Sequence, residues 1–211
     1  PQRGRLREFW QLNVDLLTKK TGVRYDVEIL QVVTRIMSAF NAKPEDYEIK
    51  INSRLFINAL YTEYYGLTAE TATQFQKLVD RKNKISPEEF AAEYAKLSDK
   101  KLLDINNPDD LETIKALPGA QAQFEAIVEV MSLCAEAGIT NITFDVDVVR
   151  GLDYYTGLVF EVYDTSPENN RALFGGGRYD NLVDMFEGPT EETNISGIGF
   201  GMGDVAMANF L

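Results

Sequence analysis

The chain has 211 residues, 33 acidic and 21 basic, with a formal net charge of −12; that balance disfavours nonspecific nucleic-acid binding. It contains no histidine and one cysteine, which excludes an internal disulfide, His-based triads and general bases, and most zinc sites. An apolar share of 45% suits one or two soluble domains, and no apolar run approaches the roughly 20 residues needed to span a bilayer.

In chain order, Arg3, Arg5 and Arg7 form a basic patch around Gly4, suited to a loop over a polyphosphate. Residues 5–15 read as extended, with Phe9, Gln11 and Asp15 on one parity and Trp10, Leu12 and Val14 on the other. Gln11 and Asp15 therefore face the same way. A helix is predicted over 25–40 from the stripe Ile29, Val33, Ile36, Met37 and Phe40, and a short strand over 48–51. Residues 53–118 are helical and charged. Ser86-Pro-Glu-Glu89 carries an N-cap serine and a proline at the first helical position, and Asn106–Asp110 holds a turn and another helix start. This stretch reads as a helical insertion between two parts of one core, 1–52 and 119–211.

A second amphipathic helix is predicted over 120–137, with Phe124, Ile127, Val128, Met131 and Cys134 as its stripe and Gly138 as its end. Residues 142–149 alternate as a strand, 158–163 form another, and the short link between them predicts an antiparallel hairpin. Gly175–Gly177 lead into a helix predicted over 178–186. Gly197, Gly199, Gly201 and Gly203 alternate with Ile198, Phe200 and Met202, so one face of that strand lets a flat ligand approach bare backbone. A last helix starts at Asp204. The fold class is α+β, an antiparallel sheet flanked by helices.

Three polar clusters carry the candidate chemistry. Arg150, after an alternating strand, suits a carboxylate or phosphate through paired hydrogen bonds. Tyr154 and Tyr155 can line a slot for a small polar ring or amine, and Gln11, Asp15, Tyr155 and Tyr179 can orient a zwitterion or heterocycle. Taken singly, Arg150 reads as well as a surface salt bridge, the tyrosines as packing, and Gly175–Gly177 lack the spacing of a P-loop. Their occurrence together, in this order, is the informative signal.

That order resembles the histidyl-tRNA synthetase family of class II aminoacyl-tRNA synthetases. Pro1-Gln-Arg-Gly-Arg-Leu-Arg-Glu-Phe-Trp-Gln11 with Asp15 looks like motif 2. Arg150-Gly-Leu-Asp-Tyr-Tyr155 and Gly176-Gly-Arg-Tyr-Asp180 look like the two histidine-specific signatures, and Gly197-Ile-Gly-Phe-Gly-Met-Gly203 looks like motif 3. The resemblance implies a histidine–tRNA ligase, which activates histidine with ATP and Mg2+ and passes it to the 3′ end of tRNA(His). It implies a cytoplasmic location and a homodimer for the full-length protein. Arg150 would be catalytic, bridging the substrate carboxylate and the α-phosphate. Gln11 would hold the α-amino and carboxylate end, Asp15 and Tyr155 the imidazole nitrogens, and Tyr154 and Tyr179 the pocket wall. Gly199 would lie under the bound substrates, and Arg5, Arg7 and Gly201 at ATP.

The chain departs from the family pattern in three ways. Ala206 stands where the motif 3 arginine is expected. Motif 1 and an anticodon-binding domain are not found. The chain also opens without Met inside a motif, and so reads as a piece of a longer polypeptide that is inactive or impaired alone. The competing reading is a non-catalytic paralogue such as the regulatory subunit of ATP phosphoribosyltransferase. A synthetase-like sensor domain of a larger kinase is a further alternative.

Overall fold

The computed structural model describes residues 8–82, 85–148, 154–166, 169, 171–180, 182 and 195–211. They divide into two compact units, one made of 1–52 with 126–211 and the other of 53–125.

The first unit is built on a six-stranded mixed sheet. Its strands are β1 (Gln11–Thr18), β2 (Tyr47–Ser53), β3 (Ile142–Phe144), β4 (Leu158–Asp164), β5 (Ala172–Arg178) and β6 (Ser196–Gly203), in the order β1-β6-β5-β4-β2-β3. The ladders β1–β6, β6–β5 and β5–β4 are antiparallel, whereas β2 and β3 are parallel. The predicted hairpin between 142–149 and 158–163 is therefore corrected: β2 stands between β3 and β4. Strand β3 stops early because Asp145 turns the chain. Its side chain accepts from Asp147 N–H at 2.9 Å and its carbonyl from Val148 N–H at 3.2 Å. Asn52, buried at the end of β2, donates to the carbonyls of Val146 and Val148, each at 3.1 Å. It thereby anchors the segment that leads toward residue 150.

Helix α1 (Val23–Ala39) packs against β6. It buries Val27, Ile29, Leu30, Val33 and Met37, a 3–4 spacing that keeps one face on the sheet. The predicted stripe was one position out at its end, since Phe40 is exposed. Asn41 closes the helix in the left-handed region at φ 63°, and Ala42 N–H returns to the Met37 carbonyl at 3.1 Å.

The second unit holds α2 (Arg54–Ala59), a π-turn (Leu60–Tyr64), α3 (Ala69–Asp80), α4 (Pro87–Tyr94) and α5 (Pro108–Lys115). Phe75 centres its aromatic core, with Tyr65, Tyr61 and Tyr94 at ring separations of 4.7, 5.3 and 5.4 Å. The predicted starts are present: Ser86 accepts from Glu89 N–H at 3.1 Å and Asn107 from Asp109 N–H at 3.0 Å.

Helix α6 (Pro118–Glu136) begins in this unit and ends in the first. Its buried positions are Ala120, Ile127, Val130 and Cys134, while Val128, predicted for the stripe, is half exposed. Burial, with help from the Asp26 carboxylate, pushes the Cys134 thiol up to about 11, so it packs as an inert hydrophobe. Gly138 ends the helix at φ 82°. The last helix, α7 (Asp204–Phe210), starts where it was predicted. Arg178 closes strand β5 rather than opening a helix, and most of the helix predicted over 178–186 lies outside the described residues.

Candidate functional site

Strand register decides which side chains meet. Across β1–β6, Gln11 pairs with Gly203, Asn13 with Gly201 and Asp15 with Gly199. Across β6–β5, Gly201 pairs with Gly175 and Gly199 with Gly177; across β5–β4, Gly177 pairs with Val159 and Gly175 with Glu161. Directly paired residues share a face. One face of four adjacent strands therefore carries Gln11, Asn13, Asp15 and Glu161 around a floor of glycines. The opposite face carries Phe160, Val162, Phe174, Ile198, Phe200 and Met202, all buried. The alternation of glycine with large apolar residues in β6 is thus one bare face and one core face.

The floor is bare because neighbouring groups already occupy the space. A Cβ on Gly199 would meet the Asp15 carboxylate and come within 2.5 Å of the Val14 carbonyl oxygen. One on Gly201 would meet the Gln11 amide; one on Gly177 would stand 2.8 Å from the Tyr155 ring; one on Gly197 would meet the Tyr179 ring. The glycines thus admit two aromatic rings and two polar side chains close to the backbone.

Tyr155 and Tyr179 are buried and share a cluster with Val148, Val159 and Leu182. Tyr154 is more exposed, at 39%, with its ring 4.7 Å from Tyr155 and 6.2 Å, edge-on, from Tyr179. The Tyr179 hydroxyl donates to Asp15 Oδ1. Burial and that carboxylate hold its phenol well above the ordinary range, so it stays protonated. Gln11 Nε2 donates to Asn13 Oδ1 at 2.7 Å. Asp15 is exposed and spends one oxygen on Tyr179; its second presents acceptor lone pairs for an N–H donor.

The structure thus brings together Gln11, Asp15, Tyr154, Tyr155, Tyr179, Gly199 and Gly201. Arg5, Arg7 and Arg150 lie outside the described residues. Two residues of this face were missed from sequence: Asn13 and Glu161, whose parity with Asp15 and Val159 was the available signal. Arg178 lies on the other face. It points to the core side and binds Asp26 of α1, with Nε and Nη2 at 3.0 and 2.6 Å from Oδ1; no local pattern pairs residues 152 apart.

Residues 1–203 match the family model described as histidyl-tRNA synthetase. The chain belongs to the histidyl-tRNA synthetase family. It is 38% identical over 218 residues to the histidine–tRNA ligase of Leptospira biflexa and 32% identical over 220 residues to that of Thermoplasma volcanium. In both cases all of this chain and 49% of the relative are covered, so it spans about half the length of these curated relatives. Among solved structures, it superposes on histidyl-tRNA synthetase from Nostoc with TM-score 0.73 at 22% identity, covering 97% of this chain and 52% of that one. It superposes on an ATP phosphoribosyltransferase regulatory subunit/histidyl-tRNA synthetase from Bacillus halodurans C with TM-score 0.75 at 21% identity, covering 100% and 55%. These two likenesses establish the fold: the α+β class II synthetase sheet expected from sequence, with one parallel pair. No described helix is long and apolar enough to cross a membrane.

The buried carboxylate of Asp26 has a measurable signature. Burial pushes its pKa from 3.8 up to about 6, outweighing the charge and hydrogen bonds of Arg178 that pull it down. Between these two values the folded chain holds a proton that the unfolded chain has released. This site's contribution to stability therefore falls as pH rises through that window, and the cost of a buried anion is fully present above pH 6. The stability gap between wild type and the Asp26→Asn variant should accordingly move in favour of wild type as pH drops from 7 to about 5. Denaturant titration at a series of pH values checks this, and a flat gap would show that Asp26 does not titrate there.

Proposed function

We propose that this chain carries the histidine-activating site of a histidine–tRNA ligase. The observation that supports this most is the Asp15–Tyr179 pair standing over a glycine floor, with Tyr155 buried beside it. A carboxylate with one oxygen engaged by a phenol can fix an imidazole N–H with the other, and in this reading Tyr155 meets the second ring nitrogen. Such a pocket penalises any side chain that leaves these groups unpaired. The oxygen of Tyr179 keeps acceptor lone pairs for the α-ammonium group, and Gln11 lies farther along the same face for the amino and carboxylate end.

In this reading the histidine carboxylate attacks the α-phosphate of ATP, pyrophosphate leaves, and the terminal ribose hydroxyl of tRNA(His) then attacks the acyl carbon of the histidyl adenylate, from which AMP leaves. Arg150 bridges carboxylate and α-phosphate, where fixed positive charge offsets the charge developing at phosphorus. Arg5 and Arg7 hold the polyphosphate, while Gly199 and Gly201 let the substrates lie on the strand. Among the described residues no group of three acidic, His or Cys side chains stands ready to hold a metal by itself. In this reading magnesium would accompany the phosphates of ATP. Residues 53–118 are assigned as the insertion domain, and a homodimer in the cytoplasm as the setting of the full-length protein.

A second reading, a regulatory paralogue, is favoured by one observation: residue 206 is alanine, part-buried on α7, where an ATP-contacting arginine is expected. Histidine-dependent ATP–pyrophosphate exchange separates the two. Exchange by the full reading frame that encodes this chain, reduced at least about 100-fold by Arg150→Ala as expected for loss of a transition-state cation, supports the ligase. A folded protein that binds histidine but shows no exchange supports the paralogue. The 211-residue chain alone is expected to bind histidine weakly and to leave tRNA uncharged; efficient charging by it would contradict that.

A further inference from the structure

Behind the glycine floor lies a buried polar network that the proposed chemistry does not use. Arg178, the last residue of β5, faces the core. Besides Asp26, its Nη1 donates to Asp180 Oδ1 at 3.0 Å and to Ser196 Oγ at 2.5 Å, and Ser196 Oγ donates to Asp180 Oδ1 at 2.5 Å. Thr156 completes the ring. Its N–H donates to the Arg178 carbonyl at 2.8 Å, its hydroxyl to Asp180 Oδ2 at 3.2 Å, and it accepts from Asp180 N–H at 3.0 Å. Gly157 leaves room for the arginine stem, since a Cβ there would stand 2.9 Å from Arg178 Cδ. The guanidinium thus ties α1, the end of β5 and the start of β6, and the Arg178 carbonyl and Asp180 add the approach to β4.

Three of the tied residues are sequence neighbours of the pocket tyrosines. Tyr155 precedes Thr156, and Tyr179 lies between Arg178 and Asp180, with its N–H on the Gly197 carbonyl at 2.7 Å. Neither ring can move far along the sheet without breaking this ring of bonds. A planar cation with five donors is also the group suited to several acceptors at fixed angles, which a lysine ammonium does not reproduce.

We propose that Arg178 is a positioning residue that sets Tyr155 and Tyr179 from the far side of the sheet, and so determines affinity for the amino acid rather than for the nucleotide. The inference rests on the histidine-activation reading. Its consequence is selective: loosening the network misplaces the Tyr179–Asp15 pair, while the Gly201 end of the floor, which β1 and β6 hold, keeps its geometry.

The test is steady-state pyrophosphate exchange by the full reading frame carrying Arg178→Lys, with Tyr179→Phe and the double variant alongside. Arg178→Lys is expected to raise KM for histidine about 10- to 100-fold, the size of one or two lost charged hydrogen bonds. KM for ATP should stay within about twofold. In the Tyr179→Phe background the same change should add little, because both act through one contact. A folded Arg178→Lys protein with unaltered KM for histidine, or with equal losses for histidine and ATP, overturns the proposal and leaves Arg178 a purely structural residue. Should Arg178→Lys fail to fold, Ser196→Ala removes the two bonds that Ser196 makes in the ring, and leaves Arg178 paired with Asp26 and Asp180. It should raise KM for histidine about three- to tenfold, less than Arg178→Lys because the guanidinium keeps its carboxylate partners, and no change there sinks the proposal equally. Absence of histidine-dependent exchange and of histidine binding in the wild type would instead remove the underlying functional reading, before any variant is compared.

Discussion

Asp15→Ala is expected to lower kcat/KM for histidine about 100-fold or more in pyrophosphate exchange, with KM for ATP little changed. Two losses combine. The substrate loses a charge-assisted acceptor for its ring N–H, and the Tyr179 hydroxyl loses the partner that holds it. A hydrogen bond to a charged group contributes about 1.5–3 kcal/mol, and the stranded donor adds its own desolvation cost. Asp15 is exposed on an edge strand, so the variant should fold normally and the effect should be confined to the amino-acid side. Asp15→Asn should recover part of the loss, since its carbonyl still accepts. Histidine kinetics within threefold of wild type for Asp15→Ala would place the imidazole elsewhere.

Gly176→Ala is expected to be among the most destabilising single-methyl changes in this chain. Gly176 lies on the core face of β5, opposite the floor. A Cβ there would overlap the Gly199 carbonyl and stand 2.6 Å from Phe200 Cβ and 2.8 Å from the Gly199 carbonyl carbon. Two of these neighbours are backbone atoms of the adjacent strand, so no rotamer change relieves the contact and β5 and β6 must separate. Overpacking typically costs about 1–3 kcal/mol where side chains can adjust; with backbone as the obstacle we expect the upper end or beyond, a fall in Tm of roughly 6–12 °C for a chain of this size. Gly22→Ala is the natural contrast for crowding: nothing lies within 4 Å of its Cβ position, so any loss there comes from its φ of 141° alone. A Tm within 2 °C of wild type for Gly176→Ala would mean that the ladder tolerates the extra atom.

Much of the site was legible because strand parity is a local property. Gln11 and Asp15 share parity, and the glycines of 197–203 all fall on one face, so a period of two was enough to predict both a polar row and a bare strand. Caps were legible for the same reason: Ser86, Asn107 and Gly138 act on backbone groups within a few residues of themselves. The helix stripes were legible to within a position or two, and the misplacement of Val128 and Phe40 marks the limit. Periodicity tells that a helix has an apolar face but not where the neighbouring sheet ends.

What tertiary structure alone decided is everything that joins distant segments. Strand order is one case. Residues 142–149 and 158–163 are near in sequence and look like a hairpin, yet β2 lies between them, and β3 is parallel to β2; alternation carries no information about which strand is the neighbour. The Arg178–Asp26 pair is another, since nothing near residue 178 in the sequence says which face its side chain takes. Its parity within β5 turns it to the core face, where a carboxylate from α1 meets it. By itself the sequence determined the chemical inventory of the site, its family and the alternation that exposes it. The tertiary structure determined that Asp15 of β1 and Tyr179 beyond β5 touch over β6, because hydrogen-bonded register, unlike parity, is a relation between strands.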